Sequence, residues 1–488
     1  MPLPTSPFQI LPFTDSESSI YSSQSATSCY MECPRRYLYN YRLYGTGIVP
    51  KFSSVPLLVG GCLHKAVENI AGQWLTNTSL GNDLRVDIDS AVAIAKESYR
   101  EEISRRPLST PHSQEEETEQ QFVIQEQLAL VEAMVRLWYI KEWPKIIEYY
   151  DILAVEQEIA FPLGLVIYQS KPDLILLHKK NGDVINYSLK SVKQGGDRLE
   201  KSYKVQLQAV TEPYATSIWL MELQEILQNA RDLLNATGNN LPYLSFMSKG
   251  LRTIGKTLEK YSNLPTRSSA TRFCYIIKGD RKEIKKGSGK YRTDNPFIYG
   301  LRKIGVREIE YAWSWFYPKP ENDSGWGRLG KGWEQFPIWE DREVGGIKGW
   351  IEKLAKGNDI QADLGQGHVF DKYILSQPDV YTNWGLIESR IQELKIIEDN
   401  IFTSIKNLDY WAKQEEATTI IASMLAEGFP MNTNSCFFPT PCSYLSICPN
   451  GNDYYKEHIA LNPLNEEFGA FERRVSHHEP EKKEMERM

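Results

Sequence analysis

Two short apolar runs separated by a polar turn form the clearest pattern of hydrophobic and polar positions in the chain. The first run covers residues 174–177, and the second covers residues 184–192, where apolar and polar residues alternate. The turn between them contains Asn181 and Gly182, a pair typical of tight turns between antiparallel strands. The pattern therefore predicts a β-hairpin whose second strand points alternate side chains to opposite faces of a sheet.

Longer segments show apolar residues three and four positions apart, the spacing typical of amphipathic helices. This spacing predicts helices over residues 113–150 and 387–411, and helices are also expected at residues 25–45 and 57–70. Alternating residues or short apolar runs predict further strands. These predicted strands cover residues 151–163, 272–278 and 308–317. The chain is therefore expected to combine helices and strands.

The composition is that of an ordinary globular protein, and at 488 residues the chain is long enough for roughly two to four structural units. The formal net charge is −7, so any path for nucleic acid requires a local basic patch on an acidic background. No apolar run approaches the roughly 18 residues that a transmembrane helix needs, and no basic-then-apolar leader opens the sequence. We therefore expect a cytoplasmic protein that does not insert into a membrane.

The ends of the predicted hairpin carry a carboxylate and a lysine. Asp173 lies near the start of one strand and Lys190 near the end of the other, so their side chains are expected to converge at one edge of the sheet. Pro172-Asp173, followed after fourteen residues by Ser188-Leu189-Lys190, resembles the signature of the PD-(D/E)XK nuclease superfamily. The sequence departs from that signature at Ser188, which stands where the second acid is expected.

The resemblance implies both a fold and a chemistry. The expected fold is α/β, a restriction-endonuclease-like core with a mixed central sheet flanked by helices, here with a large inserted middle region. The resemblance implies that Asp173 binds Mg²⁺ or Mn²⁺ and that Lys190 stabilises the attacking water. Because these ions prefer carboxylate oxygens, Ser188 removes one negative ligand. Either another acid or a backbone carbonyl compensates, or the site is weakened or inactive.

Other residues are candidates to complete this metal site. Gly60, His64 and Glu68 follow one another at intervals of four on a predicted helix, and His64 matches a histidine that joins the metal site in the resembled family. A histidine that only packs in the core or on the surface is the structural alternative. Glu156 and Glu158, on the polar side of the strand predicted before the hairpin, are candidates to replace the missing acid.

The segment after the lysine strand resembles the family's helix that carries a Gln-x-x-x-Tyr element. Gln206 and Gln208 are the candidate glutamines. Neither has a tyrosine four residues later, because Val210 and Glu212 stand at those positions. The alternative for either glutamine is an ordinary place on the helix surface, so the assignment stays open between the two.

Cysteines near the two ends of the chain suggest a second metal site. Cys436, Cys442 and Cys448 are separated by five residues each time, and Cys33 lies in a Cys-Pro-basic-basic-aromatic element. Together they resemble the one-plus-three ligands of iron-sulfur nucleases in the RecB-like branch, which includes CRISPR-associated exonucleases. The resemblance implies a 4Fe-4S cluster, although the first pair of the three is usually only two residues apart there. Zn²⁺ bound by the same thiolates is the alternative.

A basic segment in the middle region is a candidate DNA contact. Lys285, Lys286, Lys290 and Arg292 follow the strand predicted at residues 272–278. Lysine and arginine side chains on a long hairpin loop bind phosphates without reading sequence. A solvated basic loop with no such role is the alternative interpretation.

The predicted organisation has five segments. They are a flexible N-terminus (1–24), a nuclease core with the N-terminal cysteine (25–228), an inserted or elaborated region (229–386), a C-terminal helix with the Cys-rich closing segment (387–455) and a disordered charged tail (456–488). The predicted function is a metal-dependent DNA nuclease, an exonuclease or end-processing enzyme. We expect it to act on single-stranded DNA or duplex ends, as in DNA repair, with a helicase or another nucleic-acid-processing protein as partner. The alternative is a catalytically inactive, nuclease-like DNA-binding or structural subunit.

Overall fold

A computed structural model shows that the chain divides into two compact units. The first unit is built from residues 1–52, 158–170 and 383–488, and the second from residues 53–157 and 171–382. The residues that the structure describes are 20–42, 47–52, 55–81, 85–109, 111–192, 206–237, 264–278, 281–283, 290–293, 298–304, 308–313, 374–376, 379–412, 426–436, 442–444 and 471–474. All statements below concern these residues.

The described part of the chain contains both helices and strands. The helices are α1 (Gln24–Glu32), α2 (Pro34–Tyr37, continued by a π-helical turn at Leu38–Arg42), α3 (Val55–Leu80), α4 (Ile88–Arg105), α5 (Gln114–Lys141), α6 (Trp143–Tyr149), α7 (Gln208–Thr237) and α8 (Trp384–Ala412). The strands are β1 (Ile20–Ser23), β2 (Ile48–Pro50), β3 (Tyr150–Val155), β4 (Ile159–Leu163), β5 (Val166–Ser170), β6 (Leu174–His178), β7 (Val184–Val192), β8 (Ala270–Ile277), β9 (Arg281–Glu283), β10 (Lys290–Thr293), β11 (Ile298–Ile304), β12 (Glu308–Trp313), β13 (Ile374–Ser376), β14 (Val380–Tyr381) and β15 (Phe471–Arg473).

A mixed sheet forms the centre of the second unit. Its strand order is β13-β8-β7-β6-β3, and β14 also pairs with β8. The pairs β3/β6 and β6/β7 are antiparallel, whereas β7/β8 is parallel. A parallel neighbour requires a long connection, and α7 lies within the segment that joins β7 to β8. The predicted hairpin is confirmed, as is the α/β fold with a mixed central sheet.

Helices cover both faces of this sheet. Residues Ile185, Tyr187 and Leu189 of β7 face a large apolar core formed with α3, α4, α5 and α6. On the other face, α7 contacts β7 and β8. Strand β7 is therefore buried on both sides, and even its polar residues Asn186 and Ser188 are fully buried. The predicted alternation of the two faces of β7 is confirmed. Because its polar side chains are buried, their hydrogen-bond partners must lie inside the protein.

Two predicted elements are each divided in the structure. The helix predicted over residues 113–150 is two helices, because Pro144 in the first turn of α6 has no N–H to continue the hydrogen-bonding pattern of α5. The strand predicted over residues 151–163 is also two, β3 and β4, which lie in different sheets. The break falls at Glu156, whose φ is 47°, a left-handed conformation that ends the extended strand.

This break also shifts which side chains point inward. Strand β3 buries Tyr150, Ile152 and Ala154, whereas β4 buries Ile159, Phe161 and Leu163. A single uninterrupted strand cannot bury both even-numbered and odd-numbered positions on one face. The predicted inward face that joined Leu153 and Val155 to Ile159 and Phe161 is therefore wrong for β3 and correct for β4.

The first unit contains a three-stranded sheet and the long helix α8. Strand β5 lies between β1, which is parallel to it, and β4, which is antiparallel. Helix α8 was predicted at residues 387–411 and buries its predicted apolar stripe, namely Ile391, Leu394, Ile401, Ile405 and Leu408. The buried carboxylate of Glu398 on α8 accepts a hydrogen bond from Ser22 at 2.8 Å, which ties the helix to β1.

Two parts of the expected segment boundaries differ from the structure. Strand β8 lies in the middle region that was expected to be an insertion, yet it pairs with β7 along eight residues of the central sheet. In the tail expected to be disordered, β15 pairs with β2 and buries Phe471. The apolar residues of both strands are visible in the sequence. Their positions in the fold are not, because each strand pairs with a strand that is distant in the chain.

Candidate metal centre

Three side chains converge at the edge of the central sheet. The Nδ1 atom of His64 lies 2.9 Å from Oδ1 of Asp173 and 3.7 Å from Oε1 of Glu156. One ligand atom from each residue lies within 4.8 Å of those from the other two, and no other group of three His, Cys, Asp or Glu side chains meets this condition in the described part of the chain. An imidazole nitrogen and two carboxylates are a donor set suited to a divalent ion.

Local structure explains how each of these residues reaches the site. Asp173 lies directly before β6, and its Oδ2 accepts a hydrogen bond from the backbone N–H of Leu189 on the neighbouring strand at 2.6 Å. Glu156 lies directly after β3, and its N–H donates to the carbonyl oxygen of Asp173 at 2.9 Å. The hairpin and the turn after β3 therefore fix the two carboxylates side by side.

Helix α3 brings His64 to the sheet. A Cβ atom at Gly60, one turn earlier, would lie 3.1 Å from Oγ of Ser191 on β7, so a glycine here permits close packing of the helix on the strand. Glu68, one turn after His64, instead forms an ion pair with Lys65 at 2.8 Å. Of the predicted four-residue series, His64 is the member that faces the carboxylates.

The charges of this cluster are strongly coupled. Burial alone would lower the pKa of His64, but the carboxylates of Asp173 and Glu156 outweigh it and raise that pKa to about 10. Burial alone would raise the pKa of Asp173, but His64, Lys190 and the N–H of Leu189 hold it below its usual value. Without a metal ion, therefore, protonated His64 is a cation beside both carboxylates, and Lys171 adds a second one, with its Nζ 3.3 Å from Oε2 of Glu156.

A second group of polar residues lies at Ser188, the position of the absent acid. The Nε2 atom of Gln208, at the start of α7, lies 2.6 Å from Oγ of Ser188 and also donates to Oε1 of Glu212. Glu212 is only 3% exposed, and its Oε2 has no hydrogen-bond partner within the described residues. Burial raises the pKa of Glu212 to about 8, opposed by Lys190 and reinforced by Asp173 and Glu156.

The remaining residues predicted for this site have different places. Gln206 donates to the hydroxyl oxygen of Tyr275 on β8 at 2.9 Å, whereas Gln208 is the glutamine that joins Ser188. Glu158 is exposed, belongs to the first unit and is not a member of the converging group. Lys190 is half-buried and acts electrostatically on both Asp173 and Glu212. The structure thus brings together His64, Glu156, Asp173, Lys190 and Gln208.

The predicted cysteine ligands belong to the first unit where they are described. Cys33 is buried between α1 and α2, and the N–H of Cys442 donates to the carbonyl oxygen of Cys436 at 2.8 Å. Burial and the neighbouring thiols of Cys442 and Cys33 raise the pKa of Cys436. Cys448 lies outside the described residues. Three of the four predicted ligands are therefore close enough for the charges of two of them to act on the thiol of the third.

The predicted basic DNA contacts are only partly described. Lys285 and Lys286 lie outside the described residues. Lys290 and Arg292 lie on β10, which pairs with β9 and β11 in an antiparallel sheet. Among the helices described, none is both long and apolar enough to cross a membrane.

The fold is a mixed sheet flanked by helices, and the cluster of His64, Glu156 and Asp173 offers donors suited to a divalent ion. Residues 21–214 match the family model of the PD-(D/E)XK nuclease superfamily. The matched region contains His64, Glu156, Asp173, Lys190 and Gln208 and supports a metal-dependent nuclease. No curated protein matches the chain.

Glu212 is the residue of this site that sequence reasoning missed. It had been noted only because it stands where a tyrosine was expected, four residues after Gln208. The sequence carries two signals of this role. The strand with the lysine lacks the acid that the superfamily signature has, and an acid stands one helical turn after a glutamine. Residues four apart lie on the same face of a helix, so Gln208 and Glu212 were bound to face the same neighbours.

Proposed function

We propose that the protein is a Mg²⁺- or Mn²⁺-dependent deoxyribonuclease that hydrolyses phosphodiester bonds at the site formed by His64, Asp173 and Lys190. The observation that carries the proposal is the convergence of His64, Glu156 and Asp173 ligand atoms within 4.8 Å of one another. The match of residues 21–214 to a nuclease superfamily supports the same chemistry.

In this proposal, His64, Glu156 and Asp173 hold the divalent ion. The bound ion supplies a Lewis acid for the phosphate and lowers the pKa of the attacking water. Asp173 keeps its orientation through the N–H of Leu189. Metal binding requires an unprotonated His64 nitrogen, so the proton that His64 carries in the metal-free protein must leave. Exchange of that proton for a divalent ion keeps a positive charge beside the two carboxylates in both states.

Lys190 supplies a positive charge to the same space. Its ammonium group lies close enough to lower the pKa of both Asp173 and Glu212. In the proposed reaction, the ammonium group of Lys190 stabilises the negative charge that develops on the attacking oxygen. Its half-buried position strengthens that interaction, because charges interact more strongly away from bulk water.

The substrate we propose is DNA, cleaved from a single-stranded or duplex end in the cytoplasm, with a helicase or another nucleic-acid-processing protein as partner. We also propose that Cys33, Cys436, Cys442 and Cys448 bind a 4Fe-4S cluster of the kind found in RecB-like nucleases, with Zn²⁺ as the alternative. The effect of the Cys442 and Cys33 thiols on the pKa of Cys436 supports a metal centre shared by these residues.

A direct test is cleavage of end-labelled single-stranded and duplex DNA by the full chain with Mn²⁺ and with EDTA. We expect cleavage only with the metal, and loss of cleavage in Asp173→Asn. Asp232→Asn removes the same charge from an exposed position on α7 and is the matched control. Cleavage that persists in EDTA or in Asp173→Asn would contradict the proposed site.

An inactive DNA-binding subunit is a second candidate function, favoured by one observation. Ser188 is a neutral, fully buried residue at the position where the superfamily signature has an acid. Such a subunit would show no cleavage with Mn²⁺ and would bind DNA equally well with or without Asp173→Asn. The same assay, with DNA binding measured in parallel, therefore separates the two functions.

A further inference from the structure

Strand β7 has no carboxylate at the position where the superfamily signature has its second acid. Ser188 is fully buried and offers the neutral hydroxyl of a short side chain. Its Oγ atom is already engaged by Nε2 of Gln208 at 2.6 Å. A neutral hydroxyl that is tied to an amide is a poor ligand for a hard divalent cation, which prefers charged oxygen donors.

Helix α7 places a carboxylate directly beside this serine. A primary amide nitrogen has two hydrogens, and Nε2 of Gln208 donates to both Ser188 and Oε1 of Glu212. The amide therefore holds the serine and the glutamate in one hydrogen-bonded group. Gln208 is 6% exposed and Glu212 3% exposed, so neither side chain has bulk water as an alternative partner.

The second oxygen of Glu212 has no partner. Oε2 is buried and receives no hydrogen bond in the described part of the chain. A buried carboxylate oxygen without a donor is costly in a folded protein and calls for an explanation such as a missing ion. The charged groups that act on Glu212 are Lys190, Asp173 and Glu156, all members of the metal site. The unpaired oxygen therefore lies close enough to the metal site for the charged groups of that site to act on it.

We propose that Glu212 supplies from α7 a further carboxylate to the site of His64, Glu156 and Asp173, in place of the acid that β7 lacks at Ser188, with Gln208 as the residue that positions it. This inference rests on the proposed metal-dependent function and assigns to that function a residue from a different element of the fold. Helix α7 then contributes to metal binding itself. The serine accommodates the arrangement because it is small and accepts the hydrogen bond of the positioning amide.

The test measures Mn²⁺ binding to the full chain by titration calorimetry. We expect Glu212→Gln, which preserves the shape of the side chain, to weaken Mn²⁺ binding by at least about tenfold. The matched control is Glu222→Gln, which removes the same charge from an exposed position on α7 and should bind like the native protein. Asp173→Asn reports separately on the proposed function and should abolish binding.

A double variant guards against a trivial loss through misfolding. Ser188→Asp combined with Glu212→Gln returns one carboxylate to β7 and should restore Mn²⁺ affinity to within about threefold of the native value. Restoration cannot occur if Glu212→Gln only disrupts the fold. Circular dichroism in EDTA should also show native helix content for both variants.

The outcomes separate the inference from the function on which it rests. Native Mn²⁺ affinity in Glu212→Gln, together with loss of affinity in Asp173→Asn, would overturn the role of Glu212 and leave the metal site intact. A double variant as weak as Glu212→Gln would also overturn it. Absence of any Mn²⁺ binding by the native protein, or native binding in Asp173→Asn, would overturn the proposed metal site and the inference together.

Discussion

His64 and Asp173 form a direct contact, 2.9 Å between Nδ1 and Oδ1, although one lies on a helix and the other at the start of a strand far along the chain. In the metal-free protein this contact is an ion pair, because the pKa of His64 is raised to about 10 and that of Asp173 is lowered. The pair therefore links protonation, stability and metal binding at one position.

The first prediction concerns the pH dependence of stability without metal. The pKa of His64 rises from about 6.5 in the unfolded chain to about 10 in the folded protein. Protonation of His64 therefore stabilises the fold most when the pH is below the unfolded-state pKa. This stabilisation is lost as the pH rises through the folded-state pKa. In EDTA, the melting temperature of the native protein should therefore fall more between pH 6.5 and pH 9.5 than that of His64→Gln.

His112 provides the control for this measurement, since it is an exposed histidine in the same unit. His112→Gln should retain the full pH dependence of the native protein. Equal losses of melting temperature in the native protein and in His64→Gln would show that His64 is not an ion-pair partner. Saturating Mn²⁺ should reverse the trend, because a metal ion replaces the proton and binds better as the pH rises.

The second prediction concerns Ser188→Asp as a single change. The new carboxylate would lie in a fully buried position beside Gln208, which already bonds Glu212. Burial of an additional charge without a partner should lower the free energy of unfolding in EDTA by at least about 1–3 kcal/mol. Added Mg²⁺ should raise the melting temperature more than in the native protein, because it binds the added charge.

Thermal melting with and without Mg²⁺ checks this prediction, with Ser191→Asp as a comparison on the same strand. Ser191 is only partly buried and packs against Gly60 of α3. An aspartate there should destabilise the protein without increasing the effect of Mg²⁺. An equal Mg²⁺ response in both variants would mean that position 188 does not face the metal site.

Much of the central fold was predictable from local patterns. The hairpin of β6 and β7 follows from two apolar runs around Asn181 and Gly182, and the helical spacing of apolar residues is evident in α5 and α8. His64, Asp173 and Lys190 were predictable because their order and spacing resemble a known superfamily. The parallel pairing of β7 with β8 was not, because no local signal connects strands that α7 separates.

The acids that complete the site were harder to predict for physical reasons. Glu156 and Glu158 have equivalent positions in an alternating strand. The positive φ of Glu156 distinguishes the two, because it ends β3 there and places Glu156 beside Asp173. Glu212 was hidden because its role depends on contacts between α7 and β7. A side chain that crosses from one element to another leaves no periodic signal in the sequence.

The third prediction separates the role of Lys190 from metal binding. Lys190→Met keeps a long apolar stem and removes the charge, so cleavage with Mn²⁺ should fall by about 10²–10³-fold. Mn²⁺ affinity should not fall, because a positive charge beside the carboxylates opposes cation binding. Lys180→Met, in the exposed hairpin turn, should leave both quantities unchanged. Loss of Mn²⁺ affinity in Lys190→Met would show instead that Lys190 maintains the structure of the site.

The fourth prediction concerns the cysteines of the first unit. Burial and the thiols of Cys442 and Cys33 raise the pKa of Cys436, and the backbone N–H of Cys442 donates a hydrogen bond to the carbonyl oxygen of Cys436. If these thiols and Cys448 bind a 4Fe-4S cluster, protein purified without oxygen should be brown with broad visible absorption. Cys442→Ala should then be colourless and melt at a lower temperature, since the cluster stabilises the fold that supplies its ligands.

Cys62 supplies the control for this experiment, because it is a buried cysteine of the second unit. Cys62→Ala should remain brown even if the cavity it leaves lowers the melting temperature. Colourless native protein with stoichiometric zinc that is lost in Cys442→Ala would assign the same thiols to Zn²⁺. Native protein with neither iron nor zinc would contradict both assignments.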